Sequence, residues 1–142
     1  MMKYVSEVFK KYAVFSGRAT RAEYWYFSLF VSLVILALTI IQKALGGSYS
    51  IINVSGDSFF ILVNIFYFIE IIFDLIVLIP GFTVGIRRLH DVGKSGWWTL
   101  LVLLPIIGWI WLLILAVTDS APGTNKYGPN PKGILDNKIG NI

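Results

Sequence analysis

The chain reads as an all-α membrane protein with three transmembrane helices, the second broken near Pro80, preceded by an N-terminal amphipathic interfacial helix. Composition is the first observation behind this. With Gly counted and Tyr left out, about 61% of the 142 residues are apolar, against 45–50% in soluble domains, and 14% are charged against roughly 25%. The second is three long apolar stretches, and the third is the gathering of Lys and Arg at their ends. The length suits a single membrane domain, 1–142. With no Cys, the chain has no disulfide, thiol nucleophile or Cys-based metal site, and one His, His90, excludes any site needing two.

Residues 3–14 place Tyr4, Val5, Val8, Phe9 and Tyr12 on one helical face and Lys3, Glu7, Lys10 and Lys11 on the other. That pattern predicts a helix lying on a membrane surface. Residues 24–42 follow, nineteen without a charge, close to the ~20 that cross a ~30 Å hydrocarbon core. The stretch is too long for a signal-peptide core and lacks a small-x-small site after it, so it reads as a retained anchor. Thr20-Arg21-Ala22-Glu23 has the form of a capping box and marks the helix start.

The second stretch, 59–86, would be about 42 Å long as one helix. Pro80 lacks the N–H a helix needs and precedes Gly81, so a span over 59–80 with a break or kink there is expected. Gly81 and Gly85 form a GxxxG, which marks either close helix packing or a bend. The third stretch, 97–117, is uncharged and reads as one spanning helix bent near Pro105 and Gly108. Residues 43–58 form a Gly/Ser-containing connector, and 118–142 an irregular tail rich in turn residues.

Eight basic residues (Lys3, Lys10, Lys11, Arg18, Arg21, Arg87, Arg88, Lys94) fall on one side of these spans and three (Lys43, Lys126, Lys132) on the other. The excess orients the N-terminus to the cytoplasm. Three spans then carry the tail to the periplasm.

Two polar groupings stand out. Glu70 and Asp74 share a helix face near mid-membrane, with Tyr67 and Asn64 extending the stripe. At that depth at least one of the two carboxyls is expected to be protonated or cation-paired. The pair suits either a proton or cation relay or substrate site, or a helix–helix contact joined by neutral carboxyls. The second grouping is Arg87, Arg88, His90 and Asp91, joined on the same side by Arg18, Arg21 and Glu23. Gly93-Lys94-Ser95 is not a phosphate loop, since Arg88 stands where its first Gly belongs. No nucleophile elbow accompanies His90 and Asp91. What remains is a charged cluster suited to anionic head groups or phosphate. The basic residues flank spans rather than one soluble face, which argues against nucleic acid.

Phe15-Ser16-Gly17-Arg18-Ala19-Thr20-Arg21-Ala22-Glu23-Tyr24-Trp25, then Arg87-Arg88-Leu89-His90-Asp91 with Gly93, Ser95, Gly96, Trp97 and Trp98, then Pro105 with Gly108, then Gly123, Asn125, Tyr127, Gly128 and Pro131, form an ordered set of motifs. In that order they resemble the YhaH-like bacterial inner-membrane family, domain of unknown function 805. The resemblance implies a small multi-pass inner-membrane protein and brings no activity, cofactor or catalytic residue.

The expectation is therefore a non-enzymatic binding or assembly module whose cytoplasmic cluster of Arg18, Arg21, Glu23, Arg87, Arg88, His90 and Asp91 holds an anionic lipid, ligand or partner. No cofactor or metal is expected, and the partners are the bilayer and a second copy of the chain. The alternative is a small oligomeric carrier or channel using Glu70 and Asp74.

Overall fold

The computed structural model describes residues 1–44 and 58–133, with side chains from 64 onward in the second segment. Its elements are α1 (Met2–Lys10), α2 (Arg21–Ala44), α3 (Ser58–Asp91), a 3₁₀ helix (Gly96–Leu103) and α4 (Ile107–Val117). No strand occurs among the described residues, only a bridge between Asn125 and Gly128. Most of the 43–58 connector, and the tail from 134, lie outside the described residues.

Helix α1 ends at Lys10, four residues short of the sequence expectation, where the Lys11 amide closes onto the Glu7 and Val8 carbonyls. Its apolar face is covered by protein. Val5 and Val8 are buried, Tyr4 stacks on Tyr26 at 5.2 Å, and Phe9 meets Phe27 edge-on at 5.8 Å. An amphipathic pattern fits a protein surface as well as a bilayer surface, and here the start of α2 supplies that surface.

Helix α2 opens with the anticipated capping box. The Glu23 amide donates to Thr20 Oγ1 (3.2 Å), and Glu23 Oε2 accepts from the Thr20 amide (2.9 Å). This orients Glu23 inward, where it is 8% exposed.

Helix α3 corrects the expected break at Pro80, since it runs unbroken for 34 residues with Pro80 buried inside it. The Thr83 hydroxyl, fully buried three residues on, is 2.8 Å from the Ile79 carbonyl and 3.0 Å from that of Tyr12, so it ties this part of α3 to the segment after α1. At Gly81 an added Cβ would meet only the Phe27 ring, at 3.9 Å, and at Gly85 nothing within 4 Å, so the GxxxG brings no backbone into tight contact.

The third apolar stretch is not one bent helix. It is a hairpin of the 3₁₀ helix and α4, joined at Pro105 and Ile106. Ile106 has φ +67° and ψ −70°, and the Ile107 amide donates to the Pro105 carbonyl at 2.8 Å, a γ-turn of the rare positive-φ form. The arms are antiparallel. Trp98 stacks on Trp111 at 6.4 Å, and Trp109 Nε1 donates to the Val102 carbonyl at 2.9 Å. Gly108 makes the close approach, since a Cβ there would lie 1.8 Å from the Leu101 carbonyl oxygen. At 11 residues, α4 is about 16 Å long, roughly half a bilayer core.

The chain forms two compact units, one of Met1–Ser28 with the chain from Ile79 onward, the other of Leu29–Leu78. Among the described residues two helices, α2 and α3, are long and apolar enough to cross a membrane, and only 6% and 11% of their apolar windows are buried. So much exposed apolar surface on long helices belongs in lipid rather than water.

Candidate functional site

The last turns of α3 supply most of the site, and the way the helix ends fixes them. Gly93, at φ +78°, takes the left-handed position of a Schellman motif: its amide donates to His90 O at 3.0 Å and the Lys94 amide to Leu89 O at 2.9 Å. Arg87, Arg88 and Asp91 therefore share one face, three and four residues apart. All three are 2% exposed or less.

Asp91 is the centre. Its Oδ1 accepts from Arg18 Nε at 2.9 Å, and its Oδ2 from Arg88 Nη1 at 2.5 Å and from the Ser120 hydroxyl at 2.6 Å. Arg18 places its remaining N–H groups on backbone carbonyls: Nη1 reaches Gly123 (2.8 Å) and Gly128 (3.3 Å), and Nη2 reaches Ala121 (2.7 Å) and Asp91 itself (3.2 Å). All five guanidinium donors are thus used. Arg88 also donates to the carbonyls of Ala116 and Thr118, and the Ala121 amide returns to Asp91 O at 2.9 Å. One carboxylate and two guanidinium groups therefore fasten the segment before α2, the end of α3, the end of α4 and the tail. Both ends of the 96–117 hairpin and the tail as far as Gly128 consequently lie beside the N-terminal segment, whereas a single span over 97–117 would part them.

His90 stacks flat on Tyr127, ring centroids 3.7 Å apart, with Nδ1 3.3 Å from the Gly17 carbonyl, while Asn125 Nδ2 donates to His90 O at 3.0 Å. Arg21 stands apart from this knot. It is part-exposed, donates to Val117 O at 3.2 Å and pairs with Asp119 at 3.3 Å. Asp119 is held below the usual carboxylate range by its hydrogen bond from Lys132 and by the Ser120 amide.

Arg87 differs from the other two buried arginines. Its carbonyl accepts from the Ala19 amide at 3.0 Å, but among the described residues its side chain has only Glu23 as an ion-pair partner, with Nη1 3.9 Å from Oε1. Lys11 Nζ sits 3.8 Å from the same oxygen. Among the described residues, Arg87 Nε and Nη2 are buried and have no hydrogen-bond partner. Arg87 also lines a cavity of about 310 Å³, together with Lys11, Ser16, Gly17, Arg18 and Tyr127 among others. Among the described residues no cluster of three or more His, Asp or Glu could hold a metal ion.

Asn125, Tyr127, Ser120 and Lys11 are site residues that sequence reasoning left out of the cluster. The signal in the tail is its density of turn residues around Asn125 and Tyr127, and Lys11 falls on the polar face of the longer helix that the sequence predicts over 3–14.

Family comparison covers this geometry. The family model described as "Protein of unknown function (DUF805)" matches residues 12–129, well over half of the chain. The chain belongs to the DUF805 family. The matched segment begins after α1 and contains every residue of the Asp91 knot. Among DUF805 relatives, inner membrane protein YhaH of Escherichia coli (strain K12) is 34% identical over 131 residues, 92% of this chain and 98% of its own length. Inner membrane protein YhaI of the same strain is 35% identical over 131 residues, 92% and 97% of the respective chains. No solved structure matches the chain.

The other polar group lies in the smaller unit. Glu70 is partly buried and Oε2 accepts from Gln42 Nε2 of α2 at 2.6 Å, with Gln42 itself 4% exposed. Tyr67 is half-buried, while Asn64 and Asp74 are exposed. The structure thus pairs Glu70 with a neutral amide across helices and turns Asp74 outward.

Proposed function

We propose that this membrane protein is a non-enzymatic binding and assembly module of the bacterial inner membrane, and that Arg87 is where it holds an anionic lipid, ligand or partner group. The observation that carries this is the contrast among the three buried arginines. Arg18 and Arg88 are occupied by Asp91 and backbone carbonyls, whereas Arg87 keeps two buried N–H-bearing atoms without a partner. Leaving buried donors unpaired costs about 1–3 kcal/mol each, more for a charged group, so a ligand that fills them is favoured.

In this reading α2 and α3 each cross the bilayer once, and the 96–117 hairpin enters and leaves on one side. Lys126 and Lys132 then join the eight basic residues of the N-terminal side, and Lys43 stands alone opposite. Ten against one is a sharper asymmetry than eight against three, and it orients both ends of the chain to the cytoplasm. The inner-membrane names of YhaH and YhaI support the location.

The carrier reading rests on Glu70 and Asp74. It is favoured less, because Glu70 is already hydrogen-bonded to Gln42. Purification in mild detergent followed by native mass spectrometry separates the two. The binding reading expects a retained anionic species that Arg87→Gln loses. pH-dependent flux in proteoliposomes, abolished by Glu70→Gln, would support the carrier instead.

A further inference from the structure

The two unpartnered atoms of Arg87, Nε and Nη2, lie on one edge of the guanidinium plane. That edge is a fork whose parallel N–H bonds match two oxygens of a single oxyanion. The opposite corner, Nη1, faces Glu23. Glu23 Oε1 is shared between Arg87 and Lys11 at 3.9 and 3.8 Å, beyond hydrogen-bonding distance of either, so it balances one of the two charges and saturates neither group. Lys11 and the Ser16 segment form other walls of the same cavity. A carboxylate would use the Arg87 fork alone. A tetrahedral group with further oxygens also engages donors set around it, and about 310 Å³ is at the small end of ligand cavities.

Depth points the same way. The Arg87 carbonyl accepts from Ala19, directly before the capping box that starts α2, and Tyr24, Trp25 and Tyr26 follow within that helix's first turns. Aromatic residues of this kind mark the membrane–water interface, the layer of lipid phosphates.

We infer that the cavity bounded by Arg87 and Lys11 is a phosphate site, taking the phosphoryl group of a lipid headgroup or of a small soluble phosphate at the Arg87 fork. This deepens the anionic-group reading above and rests on it. The site is distinct in chemistry from the Asp91 knot, whose guanidinium donors are committed to protein acceptors.

The test uses the full-length protein in dodecyl maltoside and phosphate-free buffer, with unfolding followed by tryptophan fluorescence. The probes are inorganic phosphate, dihexanoylphosphatidylglycerol, and acetate at matched ionic strength. A rise in the unfolding midpoint with phosphatidylglycerol alone assigns a lipid headgroup, and a rise with both phosphates assigns a free phosphoryl group. Arg87→Lys keeps the charge but loses the fork, so the half-maximal concentration should rise about tenfold or more. Lys11→Gln, at a part-exposed position that does not jeopardise folding, should raise it about threefold. Acetate as effective as phosphate would overturn the phosphate assignment and leave an anion site standing. No shift with any probe, or a Lys11→Gln response identical to the parent, would overturn the site itself.

Discussion

Arg18 and Asp91 stand 73 positions apart in sequence, yet Arg18 Nε donates to Asp91 Oδ1 at 2.9 Å in a setting where both side chains are 2% exposed or less. With Arg88 it uses Asp91 to hold the tail against the segment before α2.

Asp91→Asn keeps the shape but removes the charge shared by two buried guanidinium groups. Breaking a buried ion pair from one side costs about 3–5 kcal/mol. The unfolding midpoint in detergent should fall accordingly, and limited proteolysis should release the tail first. A double-mutant cycle with Arg18→Gln should show strong coupling; additive effects would mean the two residues act independently.

The hairpin depends on Gly108. A methyl group 1.8 Å from the Leu101 carbonyl oxygen cannot be accommodated by side-chain movement, because the obstacle is backbone. Gly108→Ala should cost about 3 kcal/mol or more, beyond ordinary overpacking, and weaken the near-ultraviolet dichroism from the Trp98–Trp111 stack. Ile106→Gly works in the other direction. It removes a β-branched side chain from φ +67° and should stabilise by about 1 kcal/mol.

Much of this was legible where partners are close in sequence. Thr20 and Glu23 are three apart, so their mutual hydrogen bonds follow from helix geometry alone. The long apolar runs likewise announce α2 and α3. The continuity of α3 through Pro80 is not legible because the burial of the proline in the fold is not written in the local sequence. The hairpin was hidden for a different reason: Pro105-Ile106 carries none of the Gly or Asn that usually marks positive φ, so an uninterrupted apolar run looked like one span. Read as one span, the 97–117 run parts the tail from the N-terminal segment, so the reach of Arg18 to the Ala121, Gly123 and Gly128 carbonyls is not legible in it.

Glu70 and Gln42 offer a test of the smaller unit. Glu70→Gln retains an acceptor for Gln42 Nε2 and should change stability by less than about 1 kcal/mol. Gln42→Leu removes the donor from a half-buried carboxyl and should cost about 1–3 kcal/mol. Equal effects of the two would show that the contact contributes through packing rather than hydrogen bonding.

Helix α1 should behave as part of the fold. Val8 is fully buried, and Val8→Ala should lower stability by about 1–2 kcal/mol from the methyl groups lost. Vesicle charge should leave the helicity of the segment unchanged in the intact protein, as followed by site-resolved hydrogen exchange.

The account turns on the N-terminal segment and residues 118–133 sharing one face of the membrane, and the absence of native Cys makes this directly measurable. Single cysteines at Ser6, Thr124 and Lys43, all exposed positions, can be probed with a membrane-impermeant maleimide on spheroplasts before and after permeabilisation. Ser6→Cys and Thr124→Cys should react only after permeabilisation, and Lys43→Cys before it. Labelling of Thr124→Cys from outside while Ser6→Cys stays protected would contradict the hairpin topology and restore a third membrane crossing.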